Sequence, residues 1–473
     1  MVFALVLIVY CLSPATQMSD AYLTFPTAWA IVHHGSLYLN DLHTPLVTHN
    51  YAALVVPGGH VVDTYPWVNA LWMVPSVVAL DLGHVLHLTP SAAQAFVRND
   101  THLLDATQLV SAAVVTALAS AVLFRVVLLR FRALMMGGEA AEAADGAEAA
   151  DGVERRAWRL ALLVTLSFAF ATSAWSTASR AVWQHGPSLL MLALAVRFAD
   201  RLERGDGGPA GNAAGLGASL AAAYEVRPTN AIGVIILTSW LLWRWRRLIG
   251  WHLLGAALLG VPWMAINQVF FGRLLPPYFT HSDTALTGSY GEAFAANLVS
   301  PSRGLLIFTP IAIIAVAGLV AGWRRSRGSL DPTLALCAFA HLLLIAGLVH
   351  EWWGGYTYGP RLSTDILVYL TVLSVPAVHR LLGPARPGNP LAHARFLSVG
   401  CAVLLAWSIY ANGQGALTRT AWCWNMEPVS VNVQHSRIWS WSAPQWNTAL
   451  RRLARTHSVS GTILGHCTGP ISE

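Results

Sequence analysis

Lysine is absent from this 473-residue chain; all 29 of its basic residues are arginines. The simplest source of such a chain is a GC-rich bacterial genome. Charge of either sign is scarce, at 11%, against about 25% in a typical soluble domain. With 55% hydrophobic residues and a mean hydropathy of +0.51, that scarcity excludes a soluble globular domain, a disordered chain, a collagen and a coiled coil. Five cysteines are too few for a disulfide scaffold, and none has the spacing of a zinc site. No glycine-rich phosphate loop of the P-loop or Rossmann type is present. The arginines come in twos and threes at the ends of apolar runs, not as a basic patch, so nucleic acid is not an expected partner.

What is present is a series of long apolar runs. Lipid offers the backbone no hydrogen bonds, so a chain of this composition must close them inside helices, at roughly twenty apolar residues per crossing. The runs are Val2–Pro14, Leu103–Leu129, Leu160–Trp175, Pro187–Ala199, Ala213–Tyr224, Ala231–Trp243, Leu248–Phe271, Leu305–Gly322, Thr333–Val349, Leu362–Val378 and Phe396–Ala411. The first follows the initiator Met with no positive residue before it, unlike a secretory signal, and reads as a short or N-terminally truncated span. Arginines at 130/132 with 155/156, at 201/204, at 244/246/247, at 324/325/327 and at 386/395 fall in every second connection. By the positive-inside rule those connections are cytoplasmic. The outer segments are then Thr172–Gly186, Glu225–Asn230, Gly272–Gly304, His350–Arg361 and the tail. A further run, Trp67–Leu80, is interrupted by Pro75 and followed by Asp81, His84 and His87, like an interfacial segment. Eleven crossings follow if it stays on the outer surface, twelve if it spans.

This organisation predicts an all-α polytopic membrane unit over residues 1–411. It includes a long outer loop, 17–102, with interfacial helices, and a disordered acidic cytoplasmic loop, 137–154, where EAADG occurs twice. A short outer tail, 412–473, completes the chain. Cys11, Cys337 and Cys401 lie in apolar runs and read as small hydrophobes. Cys423 and Cys467 both lie in the tail, where an oxidising compartment would allow a disulfide between them.

Polar residues concentrate in the outer segments. The first loop opens on Asp20 and Tyr22 and also holds His33, His34, Asp41, Asp63 and Tyr65. Asp20 reads either as an interfacial cap for the following helix or as a general base or metal ligand. TSAWSTASRAVWQHGP supplies Arg180, Gln184 and His185 among tryptophans that by themselves suit a membrane-interface belt. Glu225, Arg227 and Pro228 break a helical pair, SPSRG carries Arg303, and EWWGGYTYGPR ends on Tyr358 and Arg361. A single outer arginine would be a snorkelling anchor. Four of them (Arg180, Arg227, Arg303 and Arg361) against the positive-inside bias point to an anionic ligand clamped on that side.

The chain resembles bacterial polytopic glycosyltransferases of the GT-C fold, related to the protein O-mannosyltransferases and the aminoarabinose lipid A transferases. The resemblance rests on SDAYLTFPTAWAIVHHGSLYLND, DTYPWVNALWMVP, WQHGPSLLMLALAVRF, EVRPTN, NQVFFGRLLPPYF, LVSPSRGLLIFTP and HEWWGGYTYGPRL, in that order from about Ser19 to Arg361. It implies a bacterial inner-membrane enzyme with an extracytoplasmic site. A sugar would pass, with inversion, from a polyprenyl-phosphate donor to a glycan, lipid or protein acceptor. Asp20 matches the family's acidic residue and would be the base. Arg361, Arg303, Arg227 and Arg180 would bind the donor phosphate, with His185, Gln184, Tyr22 and Tyr358 positioning substrate. The second outer loop offers His185 and Arg180 where relatives often have another carboxylate, which leaves a divalent cation on Asp20 an open question. The alternative is a transporter or flippase for an anionic lipid-linked solute; a third reading is a catalytically dead membrane scaffold.

Overall fold

The computed structural model describes residues 1–42, 44, 47, 49–136, 147–280, 289–322, 329–382, 391–463, 465 and 467. It is helical almost throughout. Each apolar run named above falls on helix: α1 (Val2–Leu12), α5 (Thr101–Met136), α6 (Ala147–Phe170), α7 (His185–Arg204), α8 (Pro209–Val226), α9 (Ala231–Trp245), α10 (Ile249–Phe271), α12 (Ile313–Gly322, preceded by the turn Leu305–Phe308), α13 (Leu330–Leu348), α14 (Leu367–Leu382) and α15 (Leu391–Leu417). Among the described residues, four helical stretches are long and apolar enough to cross a membrane: Thr101–Met136, Pro228–Phe271, Leu330–Leu348 and Arg361–Leu382. The second of these breaks at Trp245–Leu248, where Trp245 leaves the helical region (φ −138°, ψ 54°).

The core lies where α5, α7, α8, α13 and α14 meet, around Leu123, Leu189, Leu220, Leu334 and Val372. The helices pack through small residues, as helices do in lipid, where no hydrophobic force draws them together and close backbone approach supplies the attraction. Gly217 on α8 and Gly255 on α10 show this best. A Cβ on the first would collide with the His252 carbonyl, and on the second with the Ala214 carbonyl.

Residues 17–102 form a separate layer at one end. It contains α2 (Thr24–His34), α3 (Val74–Val85) and α4 (Ala92–Val97), with Phe25, Met73, Val77 and Phe96 buried between them. It also contains an antiparallel ribbon the sequence reading did not anticipate, β1 (Ala53–Val56) and β2 (His60–Asp63), in the register Ala53↔Asp63 to Val56↔His60. Gly58 (φ +94°) and Gly59 (φ +78°) make its turn, in backbone regions that favour glycine. Trp67–Leu80 is not one continuous helix. A 3₁₀ turn, Trp67–Trp72, leads into α3, whose twelve residues span about 18 Å, short of a bilayer core.

Two expected boundaries shift. The helix α15 runs on to Leu417, beyond 411, and residues 147–154 are helical, part of α6, not disordered loop. Most of the acidic repeat lies outside the described residues. The tail folds over the neighbouring loops in short turns and α16 (Thr448–Thr456), and a disulfide joins Cys423 to Cys467.

Candidate active site

Asp20 sits in the turn between α1 and α2. It does not cap α2, whose N-cap is Leu23 with no side-chain bond, so the capping reading fails. Its carboxylate instead accepts from Tyr51 Oη (2.8 Å) and from Arg361 Nη1 (2.6 Å). Gln108 on α5 fixes this turn beside the second outer segment. Its amide donates to the Ala21 carbonyl (2.8 Å) while its carbonyl oxygen accepts the Val182 N–H (2.9 Å).

Arg361 arrives on the EWWGGYTYGPR loop. Gly354, Gly355 and Gly359 have φ of +80°, +56° and +63°, and a Cβ on Gly359 would press on the Phe308 ring at 3.1 Å. The guanidinium lies 4.7 Å from the Trp183 ring centroid, a cation–π contact, and its Nε is buried without a partner. Thus a loop built to turn tightly delivers one arginine, with a donor to spare, against one carboxylate.

The pair borders a cavity of about 50 Å³, also lined by Tyr65, Trp183, Gln184, His185, Arg227 and Tyr278. Arg227 leaves α8 in an extended conformation (φ −153°, ψ 118°) before Pro228. Its Nη1 donates to His185 Nδ1 (2.7 Å), and its Nε lies 3.0 Å from Asp365 Oδ2. Asp365 is fully buried, with His185 (3.8 Å) and His341 (3.6 Å) beside it. This second ion pair backs the first and holds Arg227 at the cavity wall.

The electrostatics separate two carboxyl groups. Burial raises the Asp20 carboxyl, but the Arg361 charge and hydrogen bonds from Tyr51, Arg361 and Ser19 outweigh it and hold the group below its usual range. Asp63, buried at the end of β2, is pushed up to about 8: burial dominates, the Tyr65 N–H opposes it (2.9 Å), and the Asp20 charge adds to it. At neutral pH Asp20 is therefore ionised and Asp63, close behind it, largely neutral. Burial and the Asp20 charge also raise the Tyr65 hydroxyl, keeping it protonated.

Other expected residues lie elsewhere. Arg180 is fully buried, and its guanidinium donates to the carbonyls of Tyr10 (2.9 Å) and Ser13 (2.7 Å), closing the C-terminus of α1. Arg303 donates to the Trp353 (2.7 Å) and Gly355 (3.1 Å) carbonyls and to side-chain oxygens of Asn425 and Gln445, pinning the tail. Neither has donors left for a phosphate, which corrects the reading of four clamping arginines to two. Tyr358 is buried with its hydroxyl on the Ala411 carbonyl (2.6 Å), and Tyr22 bonds Asn99 (3.2 Å). Neither lines the cavity.

For a divalent cation this donor set is thin: each Asp20 oxygen already accepts one hydrogen bond, from Tyr51 and from Arg361, and the guanidinium charge opposes a second cation beside it. Among the described residues, the one close group of three His, Cys, Asp or Glu donors is Cys423, Glu427 and Cys467, of which two form the disulfide.

Sequence reasoning missed Tyr51, Trp183, Tyr278, His341 and Asp365 as parts of this centre. Asp365 carried a usable signal, because an acid inside an apolar run is costly unless paired. Comparison with protein-family models, with curated proteins and with solved structures finds no match to this chain.

Proposed function

We propose that the chain is a GT-C-like glycosyltransferase of the bacterial inner membrane, with eleven crossings and its site on the extracytoplasmic side. Asp20 takes the proton of an acceptor hydroxyl as that oxygen bonds to the anomeric carbon. The bond from that carbon to the phosphate oxygen breaks with inversion. The polyprenyl phosphate departs with the electron pair, and Arg361 and Arg227 stabilise its charge. The observation that carries this reading is the Asp20–Arg361 pair beside a second arginine at one cavity.

The pairing also suggests an order of events. While Arg361 holds Asp20, the carboxylate is a weak base. A donor phosphate competes for the guanidinium, and drawing it off restores basicity where the acceptor arrives. The cavity, about 50 Å³, is smaller than a sugar ring, so it must widen, and Tyr65 and Tyr278 are the tyrosines that line it. An apolar cavity of about 290 Å³ between α6, α12, α14 and α15, lined by Phe168, Ile314, Leu370 and Leu405, suits part of a lipid tail.

Membranes carrying the protein, supplied with radiolabelled polyprenyl-phosphate sugars, test the proposal. Wild type should pass label into glycan, lipid or protein, and Asp20→Asn and Arg361→Ala should not. Transfer undiminished by Asp20→Asn would reject the assigned base. Donor moved across the membrane by all three proteins, with no transfer, would instead make the chain a carrier. The buried Asp365–His341 pair between α13 and the start of α14 is the observation that favours this second reading.

A further inference from the structure

The opposite end of the helices holds a second polar cavity, of about 170 Å³, lined by Arg125 on α5 and by Arg197, Arg201 and Arg204 on α7, with Asp206 as its one carboxylate. Arg201 lies sixteen residues beyond His185 on the same helix, about 24 Å along its axis. That is close to the thickness of a bilayer core, so the cavity belongs at the other headgroup level.

Arginines are ordinary at that level, and most need only reach water. Arg244, Arg246 and Arg247 do so, as does Arg125 at the rim of the cavity, while Arg197, Arg201 and Arg204 are half-buried. The cavity group differs in three ways. Arg197, Arg201 and Arg204 recur at helical spacing on one face of α7, where like charges repel, and Arg125 comes to the same cavity from α5. Their neutralisation is incomplete. Asp206 lies 3.6 Å from Arg201 and 3.8 Å from Arg204, and Asp200 takes Arg204 at 2.8 Å, while Arg125 and Arg197 have no hydrogen bond or ion pair among the described residues. Third, Arg201 Nε is buried and makes no hydrogen bond, its nearest acid being Asp206 Oδ2 at 3.6 Å. The loop after α7 accommodates this arginine closely: Gly207 (φ +75°) lies where a Cβ would collide with Arg201 Nη2.

We propose that this cavity binds a phosphate ester, with Arg125, Arg197 and Arg201 donating to its oxygens. Planar guanidinium groups approaching from two helices suit a tetrahedral anion, and Val126 and Leu129 provide an apolar edge for the carbons attached to it. Such a group is available from an anionic phospholipid of the adjoining leaflet or from soluble phosphate. The site does not depend on the transferase reading, because none of its residues belongs to the Asp20 cavity.

The test uses the full chain in detergent, titrated with phosphatidylglycerol, with zwitterionic phosphatidylcholine and with inorganic phosphate, with bound molecules counted by native mass spectrometry. The double variant Arg125→Gln/Arg197→Gln breaks no hydrogen bond or ion pair among the described residues and should remain monodisperse. Its affinity for phosphatidylglycerol should fall by at least about tenfold, the equivalent of one charged hydrogen bond. Arg244→Gln/Arg246→Gln, which removes the same charge away from the cavity, should bind like wild type. Binding of phosphatidylglycerol alone, lost in the cavity variant, assigns the group to a lipid. Binding of inorganic phosphate, lost in the same variant, assigns it to a soluble ligand. Equal binding by wild type and the cavity variant, or an equal loss in the control variant, overturns the proposal.

Discussion

The two ends of the helical core each carry a buried ion-pair centre, and they differ in how completely each arginine is matched. At one end Arg130 on α5 meets Asp200 Oδ1 (2.7 Å) and Glu203 (3.8 Å) on α7 and Asp331 on α13. Three helices converge on a cation surrounded by acids. At the other end Arg361 meets one carboxylate, stacks on Trp183 and keeps a buried Nε without a partner, beside a cavity. Both arginines keep one buried nitrogen without a hydrogen bond, Nη2 of Arg130 and Nε of Arg361, so the difference lies in three acids against one and in the cavity beside the second. An arginine among three acids ties helices together; one with a single acid next to a void fits the proposed anion site. Density of charge would not have separated the two; the count of partners does.

The largest effects should therefore be opposite in kind. Asp20→Asn should reduce transfer by about a thousandfold, in the range of a lost general base, and lower thermal stability less than the loss of Arg130, since the amide oxygen can still accept from Arg361 although the ion pair is gone. Initial rates at matched folded protein, beside a melting curve, check both halves. Arg130→Gln should do the reverse. It leaves Asp331 and Glu203 without their arginine while Asp200 keeps Arg204, and should cost about 3 kcal/mol. The readout is a lower Tm and yield in detergent, with transfer per folded molecule retained. If Arg130→Gln abolished transfer without lowering Tm, the comparison would be wrong.

Asp63 sharpens the contrast through pH. With the folded carboxyl held at about 8 and the unfolded one in the ordinary carboxylate range, the unfolded state loses its proton first as pH rises. Asp63 then stabilises the fold fully only in acid. Its contribution falls by about 1.4 kcal/mol per pH unit until the folded group also ionises near pH 8. Asp63→Asn should flatten this part of the Tm profile and exceed wild type at pH 8. Parallel Tm profiles of wild type and variant between pH 5 and pH 8 would mean that Asp63 is ionised in the fold.

How much of this was legible in the sequence follows from what a linear reading can see. Asp20, Arg227, His185 and Arg361 were visible because a polar residue at the end of an apolar run is conspicuous. Arg180 and Arg303 were conspicuous for the same reason, yet they serve backbone carbonyls. Nothing local distinguishes a guanidinium that closes a helix end from one that waits for a phosphate, because the acceptors lie more than a hundred residues away in most of these bonds. The helices were legible because lipid leaves an apolar run no other way to satisfy its backbone. The ribbon was not: its VVPGGHVV stretch sits in a loop with no regular alternation around it, and Tyr51, just before β1, became a site residue only by folding back on Asp20.

The smallest expected effect tests the assignment of the base most directly. Tyr51 Oη donates to Asp20 Oδ1 at 2.8 Å, from a side chain 66% exposed, so water can replace much of what Tyr51→Phe removes. The rate at neutral pH should change by only about twofold to threefold, the scale of one exposed hydrogen bond. The acid limb of the pH–rate profile should respond in a definite direction. Tyr51 stabilises the ionised form of Asp20, so its loss raises the Asp20 pKa and moves that limb to higher pH. Arg361→Lys, which keeps the charge but loses the planar fork, should move it the same way and lower the rate more. A limb that stays in place in both variants would show that some other group titrates in the reaction, and Asp20 would then serve only to hold Arg361 until the anion arrives.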